Sequence, residues 1–139
     1  MIDTESAMSE SLRIFVVETE PRIRKIVDRN LKLDGFEVFF AEDDSPGLEQ
    51  AAGCAADLVL LDCQSGRLNC IELLRKIRED KNLREIPVFV LTEQGDDDLI
   101  RRAFAAGADD YICKPFPPRQ LANTIRRKLE GLLTRKIHR

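Results

Sequence analysis

The sequence predicts an α/β fold, one parallel sheet with helices on both faces. Three observations carry that prediction. Strand-like and helix-like segments alternate five times along 139 residues, with short connections. Such alternation is the pattern of parallel strands joined by right-handed crossovers in a doubly wound sheet. The stretch Asp57-Leu-Val-Leu-Leu-Asp62 is apolar on both faces, as a strand buried inside a parallel sheet requires. Finally, polar or charged groups close four strand segments, at Glu18-Thr19-Glu20, Asp62, Thr92 and Lys114. In a parallel sheet those ends meet at the carboxyl edge, where open α/β folds bind their ligands.

Each element has a local reason. Residues 1–11 are polar and acidic, a flexible lead-in. Ile14–Val17 is a short β-branched run, the first strand. Pro21 suits a first helical turn, and Ile23, Ile26, Val27 and Leu31 follow at helical spacing until Gly35 ends the helix. Phe36–Ala41 is the second strand. Ser45-Pro46 caps a short helix that runs to about Cys54. Leu58–Leu61 is the third strand, and residues 63–68 form a polar loop containing Gly66. Asn69 caps the next helix, whose buried stripe is Ile71, Leu74 and Ile77, with Glu72, Arg75, Lys76 and Arg78 solvated. Pro87–Leu91 is the fourth strand. Asp96-Asp97-Asp98 complements the dipole of a helix that stops at Gly107. Tyr111–Cys113 is the fifth strand. The last helix begins near Pro118 and turns Leu121, Ile125, Leu129 and Leu132 inward, with Arg126 and Arg127 largely outside. One folded domain spans residues 12–135, and residues 136–139 are a tail.

The bulk numbers exclude several classes. Apolar residues make up 43% and charged residues 34%, which suits a globular chain. A net charge of −3 gives no drive toward nucleic acid or anionic membrane. No apolar run reaches bilayer-spanning length, and the acidic N-terminus is unlike a signal peptide. These points predict a cytoplasmic protein with no membrane contact. Cys54, Cys63, Cys70 and Cys113 form no CxxC pair and are expected as reduced core or near-core thiols. The only histidine, His138, lies at the tail, so a cysteine–histidine metal site is a poor fit.

Carboxylates, a hydroxyl and an ammonium aimed at one crevice can hold a divalent cation and a phosphoryl group, because phosphoryl oxygens need cations and donors around them. At this point the residues resemble a known family. LRIFVVETEP, DLVLLD, IPVFVLT and GADDYICKPF, spread in order from about Arg13 to Leu133, are similar to the receiver domain of bacterial two-component response regulators. The resemblance implies a flavodoxin-like (βα)5 sheet of strand order 2-1-3-4-5. It implies that Asp62 accepts a phosphoryl group from a phosphohistidine, that Lys114 pairs with the phosphoryl oxygens, and that Thr92 donates its hydroxyl to them. Tyr111 matches the switch aromatic, and Lys114-Pro115 matches a cis peptide. Mg²⁺ would be held by Glu18, Asp62 and the backbone carbonyl of Gln64. Such a protein is a signalling domain and not an enzyme.

The sequence departs from that pattern in the acidic pocket. Thr19 stands where the family has the second acid, a direct metal ligand. One unit charge pair at about 4 Å is worth roughly 4 kcal/mol gross at an effective dielectric near 20. Weak Mg²⁺ binding is therefore expected, even after water and the hydroxyl recover part of the loss. Glu93 follows Thr92 where a small residue is usual, adding bulk and negative charge, and it is expected as a solvated side chain. Gly66 and Cys70 stand where proline and glycine are common. These changes leave an alternative open: a pseudo-receiver, a protein-interaction module that works without phosphorylation. An unrelated small α/β enzyme is the third reading, though no glycine-rich phosphate loop supports it.

The implied partners are a sensor histidine kinase or histidine phosphotransfer protein and a downstream output protein or domain. The face of the last two helices and the fifth strand is the family's usual dimer surface. Arg101, Arg102, Asp109, Asp110, Arg126 and Arg127 lie there and could bridge a homodimer. Thr124 and Gln120 replace an arginine and a glutamate of the winged-helix subfamily's dimer, which weakens that particular arrangement. The basic end, Arg135 to Arg139, reads as a helix terminus and not as a nucleic-acid contact.

Overall fold

The computed structural model describes residues 11–41, 48–63, 69–93 and 95–137. The lead-in before Ser11, the Ser45-Pro46 cap, Gln64, Gly66 and His138-Arg139 lie outside them. Five strands form the sheet: β1 (Arg13–Val17), β2 (Glu37–Phe40), β3 (Leu58–Asp62), β4 (Val88–Glu93) and β5 (Asp110–Lys114). Between and after them run α1 (Pro21–Leu33), α2 (Leu48–Gly53), α3 (Cys70–Glu79), α4 (Asp97–Ala106) and α5 (Leu121–Ile137). The order is β2-β1-β3-β4-β5 and every pairing is parallel, the flavodoxin-like order expected. No helix among the described residues is long and apolar enough to cross a membrane.

Strand periodicity builds two cores from one sheet. Phe15, Val17, Val59, Leu61, Val88 and Val90 pack against Ala51 of α2, Ile71, Leu74 and Ile77 of α3, and Ala103 of α4. The alternate residues Ile14, Val16, Leu58, Leu60, Phe89 and Leu91 pack against Val27 and Leu31 of α1 and Leu121, Ile125 and Leu132 of α5. All five residues of β3 are buried, and this strand, within the Asp57–Asp62 stretch, lies at the centre of the sheet between both cores. Each fully buried aliphatic side chain contributes about 1.5–3 kcal/mol, and the double burial explains why β3 alternates in no polar residue.

Helix ends follow local chemistry. Asn69 caps α3 by accepting the Glu72 N–H, and Asp96 caps α4 by accepting that of Leu99. Gly107 closes α4 at φ 116°, a left-handed conformation suited to glycine. A Cβ there would also run into the Arg78 side chain, at 2.6 Å from its Cγ.

Three expectations need correction. Arg78 is not solvated. Its guanidinium turns inward and donates to the carbonyls of Gly107, Arg84 and Ile86 and to Asp109. It lies on the polar flank of α3, but a long side chain can reach the open carbonyls at the amino ends of β4 and β5. The final helix does not start at Pro118 directly. Pro118–Gln120 form one 3₁₀ turn and α5 follows from Leu121. Not all four cysteines are reduced: Cys63 and Cys70 form a disulfide, while Cys54 and Cys113 are free. Cys63 leaves β3 and Cys70 opens the returning α3, which brings their Cα atoms to 5.2 Å, within bridging range. Seven residues of separation hide that proximity in the sequence.

Candidate functional site

The parallel register sets the carboxyl edge. Asp62 lies beside Leu91, and Glu93 beside Lys114. Glu18 follows the last residue of β1, next to Leu61 through Val17. Counting by twos along each strand, Glu18, Asp62 and Lys114 continue the rows that face α1 and α5, whereas Thr92 and Tyr111 continue those that face α2 to α4. The charged trio and the hydroxyl–aromatic pair thus flank the edge from opposite sides.

Two strand spacings, about 10 Å, separate β3 from β5. Only a long side chain can cross β4, and Lys114 does so. Its Nζ lies 2.5 Å from Asp62 Oδ2 and 3.7 Å from Glu18 Oε2. The cluster is nearly dry, with side-chain exposures of 3% for Asp62, 1% for Glu18 and 17% for Lys114. The Lys114-Pro115 peptide is cis, as the resemblance implied.

Glu18 shows what the cluster lacks. Its Oε1 accepts the Glu20 N–H at 2.9 Å, while Oε2 is buried with no hydrogen-bond partner among the described residues. The Glu18 side chain also meets the Asp62 carboxyl, and two carboxylates bond only when one carries a proton. Burial, and then that contact, push the Glu18 carboxyl up to about 7. A cation at Oε2 would relieve the same frustration. The donor set fits Mg²⁺, which is commonly held by one or two carboxylates with water completing the shell. Among the described residues, no group of three acidic, histidine or cysteine side chains is placed to hold a metal. Thr19, at the position where a second acid was expected, sits half-buried beside Glu18.

Thr92 is fully buried, and its hydroxyl donates a long 3.5 Å bond to the Glu93 carbonyl. Glu93 itself is exposed, as expected. Tyr111 is half-buried, edge-on to Phe104 at 6.1 Å, with Lys128 Nζ 5.6 Å from its ring centre. Gln64 lies outside the described residues. Four of the six charges expected on a dimer face are engaged within the chain: Asp109 with Arg78, Asp110 with Lys128, Arg126 with Asp34, and Arg101 with Asp98. Sequence reasoning missed the Cys63–Cys70 bridge at this edge. The available signal was a cysteine directly after the central carboxylate.

Comparison with known proteins agrees with this geometry. The family model for the response regulator receiver domain matches residues 14–126. The phosphate regulon transcriptional regulatory protein PhoB of Escherichia coli is 37% identical over 114 residues, covering 82% of this chain and 50% of that protein. The transcriptional regulatory protein ResD of Bacillus subtilis is 35% identical over 109 residues, covering 78% and 44%. The chain thus spans about half the length of the curated relatives it matches. Among solved structures, a putative response regulator from Chloroflexus aurantiacus superposes with a TM-score of 0.78 at 25% identity, covering 87% of this chain and 99% of that one. The chemotaxis response regulator CheY4 of Vibrio cholerae shares the fold, with a TM-score of 0.76 at 24% identity, covering 85% and 98%. A sheet of this order, carrying an acid–lysine cluster at its carboxyl edge and matched across most of its length, belongs to the response regulator receiver domain family.

Proposed function

We propose that this receiver domain accepts a phosphoryl group on Asp62 and relays a two-component signal. One observation carries the reading: the Lys114 ammonium, brought across β4 onto the buried Asp62 carboxylate. A buried carboxylate with a cation at hand is a nucleophile whose product charge is met in advance. An Asp62 oxygen attacks the phosphorus of a phosphohistidine, the P–N bond breaks, and the imidazole leaves with the bonding pair and takes up a proton. Lys114 then moves from the carboxylate to the phosphoryl oxygens as a compact point charge. Thr92, on the opposite flank, turns its weakly held hydroxyl toward the same oxygens, and Tyr111 follows into the space vacated. Phe104 and Lys128 are the groups that Tyr111 must slide past.

Receivers of this family typically bind Mg²⁺ in the acidic pocket. Here Glu18 and Asp62 would hold it, together with the Gln64 carbonyl, and the ion would neutralise charge on the transferring group. With Thr19 in place of an acid, binding is weak. The domain is a signalling acceptor and not a turnover enzyme. Response regulators work with histidine kinases and output domains, and for a receiver in the cytoplasm a sensor histidine kinase or histidine phosphotransfer protein is the donor that this site suits. The α4–β5–α5 face carries the output, to a partner or to a second copy.

The test is intact mass after incubation with phosphoramidate, with and without Mg²⁺, beside Asp62→Asn. A magnesium-dependent gain of one phosphoryl group, absent from the variant, is the expected result. No gain at high magnesium, with Glu93→Ala equally inert, overturns the reading in favour of a phosphorylation-independent interaction module.

A further inference from the structure

The Cys63–Cys70 disulfide ties the carboxyl end of β3 to the first residue of α3. Cys63 directly follows Asp62, and its N–H bonds the Leu91 carbonyl at 3.0 Å, continuing the β3–β4 ladder past the acid. Cys70 is the first residue of the ten-residue α3 and is 3% exposed. We infer that this disulfide is a redox site, taking a dithiol reductant, whose state sets the reactivity of Asp62. The inference deepens the phosphoacceptor reading and rests on it.

The two sulfurs are not equivalent. Cys63 is half-buried and reachable, whereas Cys70 is enclosed by the core. A reductant thiolate therefore attacks the Cys63 sulfur, and the S–S bond breaks toward Cys70. The departing thiolate forms at the N-terminus of α3, where the helix dipole favours negative charge and so a faster leaving group. The reductant's second thiolate then attacks its own sulfur in the mixed disulfide and releases Cys63. Two electrons pass to the protein, the dithiol becomes a disulfide, and its two protons end on Cys63 and Cys70. A small-molecule or protein disulfide of the same class reverses the step. The remaining thiols take no part. Cys54 spends its S–H on the Ala51 carbonyl and burial pushes its pKa up, and Cys113 lies on β5.

The consequence for Asp62 is mechanical. A phosphoryl group must enter between Asp62 and a Lys114 ammonium now 2.5 Å away. The chain around the acid has to yield as that contact opens. A covalent tie one residue on, anchored in the helix that packs under β3, resists the adjustment. The oxidised form is therefore the slower acceptor.

The full chain is equilibrated with oxidised or reduced dithiothreitol, and its thiols are counted by alkylation and mass. The count should rise from two to four on reduction. Phosphoramidate with Mg²⁺ should then phosphorylate the reduced chain roughly fivefold faster or more. In metal-free ¹H–¹⁵N spectra, the Asp62, Leu91 and Lys114 amides should shift between the two states. Cys63→Ser and Cys70→Ser should keep the faster rate in either buffer. Should a serine variant fail to fold, the comparison of the two wild-type states still decides. Four thiols in oxidised dithiothreitol, or equal rates in the two states, overturn the inference. Absence of phosphorylation in both states, with Glu93→Ala equally inert, would refute the acceptor reading instead. The amide shifts alone would then decide whether the bridge is coupled to the pocket, with unchanged positions refuting it.

Discussion

The two ends of the sheet each hold a cation engaged with an acid, partly buried at the amino end and buried at the carboxyl end, and they treat it differently. At the amino end, Arg78 places five hydrogen bonds on the Gly107, Arg84 and Ile86 carbonyls and on Asp109. Asp109 also accepts the Val88 N–H at 2.8 Å. At the carboxyl end, Lys114 bonds Asp62 and only pairs at 3.7 Å with Glu18 Oε2, which is buried with no hydrogen-bond partner among the described residues. One cluster is saturated and the other is not. Saturation marks a joint that holds the chain, because every polar group taken out of water is compensated. An unmet acceptor marks a place where something is to bind, because the fold bears a cost there that only a ligand relieves.

The largest effect should come from the saturated end. Arg78→Ala strands the Gly107 and Ile86 carbonyls and leaves Asp109 without its cation. Breaking such a pair costs about 3–5 kcal/mol when fully buried. At 22% exposure for both partners, about 2–4 kcal/mol is expected once solvent is allowed for. Urea denaturation at pH 7 measures it. The folded fraction should still accept a phosphoryl group from phosphoramidate at the parent's rate. A loss below about 1 kcal/mol would show that the network does not act as a unit.

The unsaturated end should answer in the opposite direction. The Glu18 carboxyl is raised from 4.5 to about 7 in the fold. Between those values the folded chain binds more protons than the unfolded one, so stability falls as pH rises through that window. Glu18→Gln has nothing to titrate. The variant should lack the decline and, without metal, should be more stable than the parent at pH 8 by about 1–2 kcal/mol. It should also weaken Mg²⁺ binding by roughly tenfold or more, read by magnesium titration. A variant that is less stable at pH 8 would mean that the Glu18 charge is fully compensated by Lys114, and the contrast between the two ends would lose its basis.

The carboxyl edge was more legible in the sequence than the amino edge, for a physical reason. Its residues stand at the ends of apolar runs, so strand period and parallel topology alone bring Glu18, Asp62, Thr92 and Lys114 together. Arg78 carries no such mark. Its partners lie up to 31 residues away and are mostly backbone carbonyls, which no residue type advertises. The partners of the charges on the α4–β5–α5 face were hidden for a related reason: composition shows that they are charged, but only packing shows that Asp109, Asp110 and Arg126 are paired inside the chain. The disulfide was hidden because bridging depends on where α3 returns, and the spacing of Cys63 and Cys70 does not encode that return.

Asn69 separates saturation from location, since it belongs to the functional edge but to a completed bond. Its side chain caps α3 by accepting the Glu72 N–H at 3.1 Å, one residue before Cys70. If position alone decided function, Asn69→Ala would disturb phosphoryl acceptance. If saturation decides, the change removes a helix cap and nothing more, at a cost of about 1 kcal/mol. The expected result is that small loss in urea, with an unchanged phosphorylation rate in the reduced chain. Oxidised chain should feel the variant more, because the disulfide leaves from the helix terminus that Asn69 organises. An Asn69→Asp variant should restore the cap, since an aspartate accepts the same N–H and favours the same dipole. A variant with parent stability but slowed acceptance would place α3's first turn in the site itself, and the boundary between joint and site would have to move one residue past the disulfide.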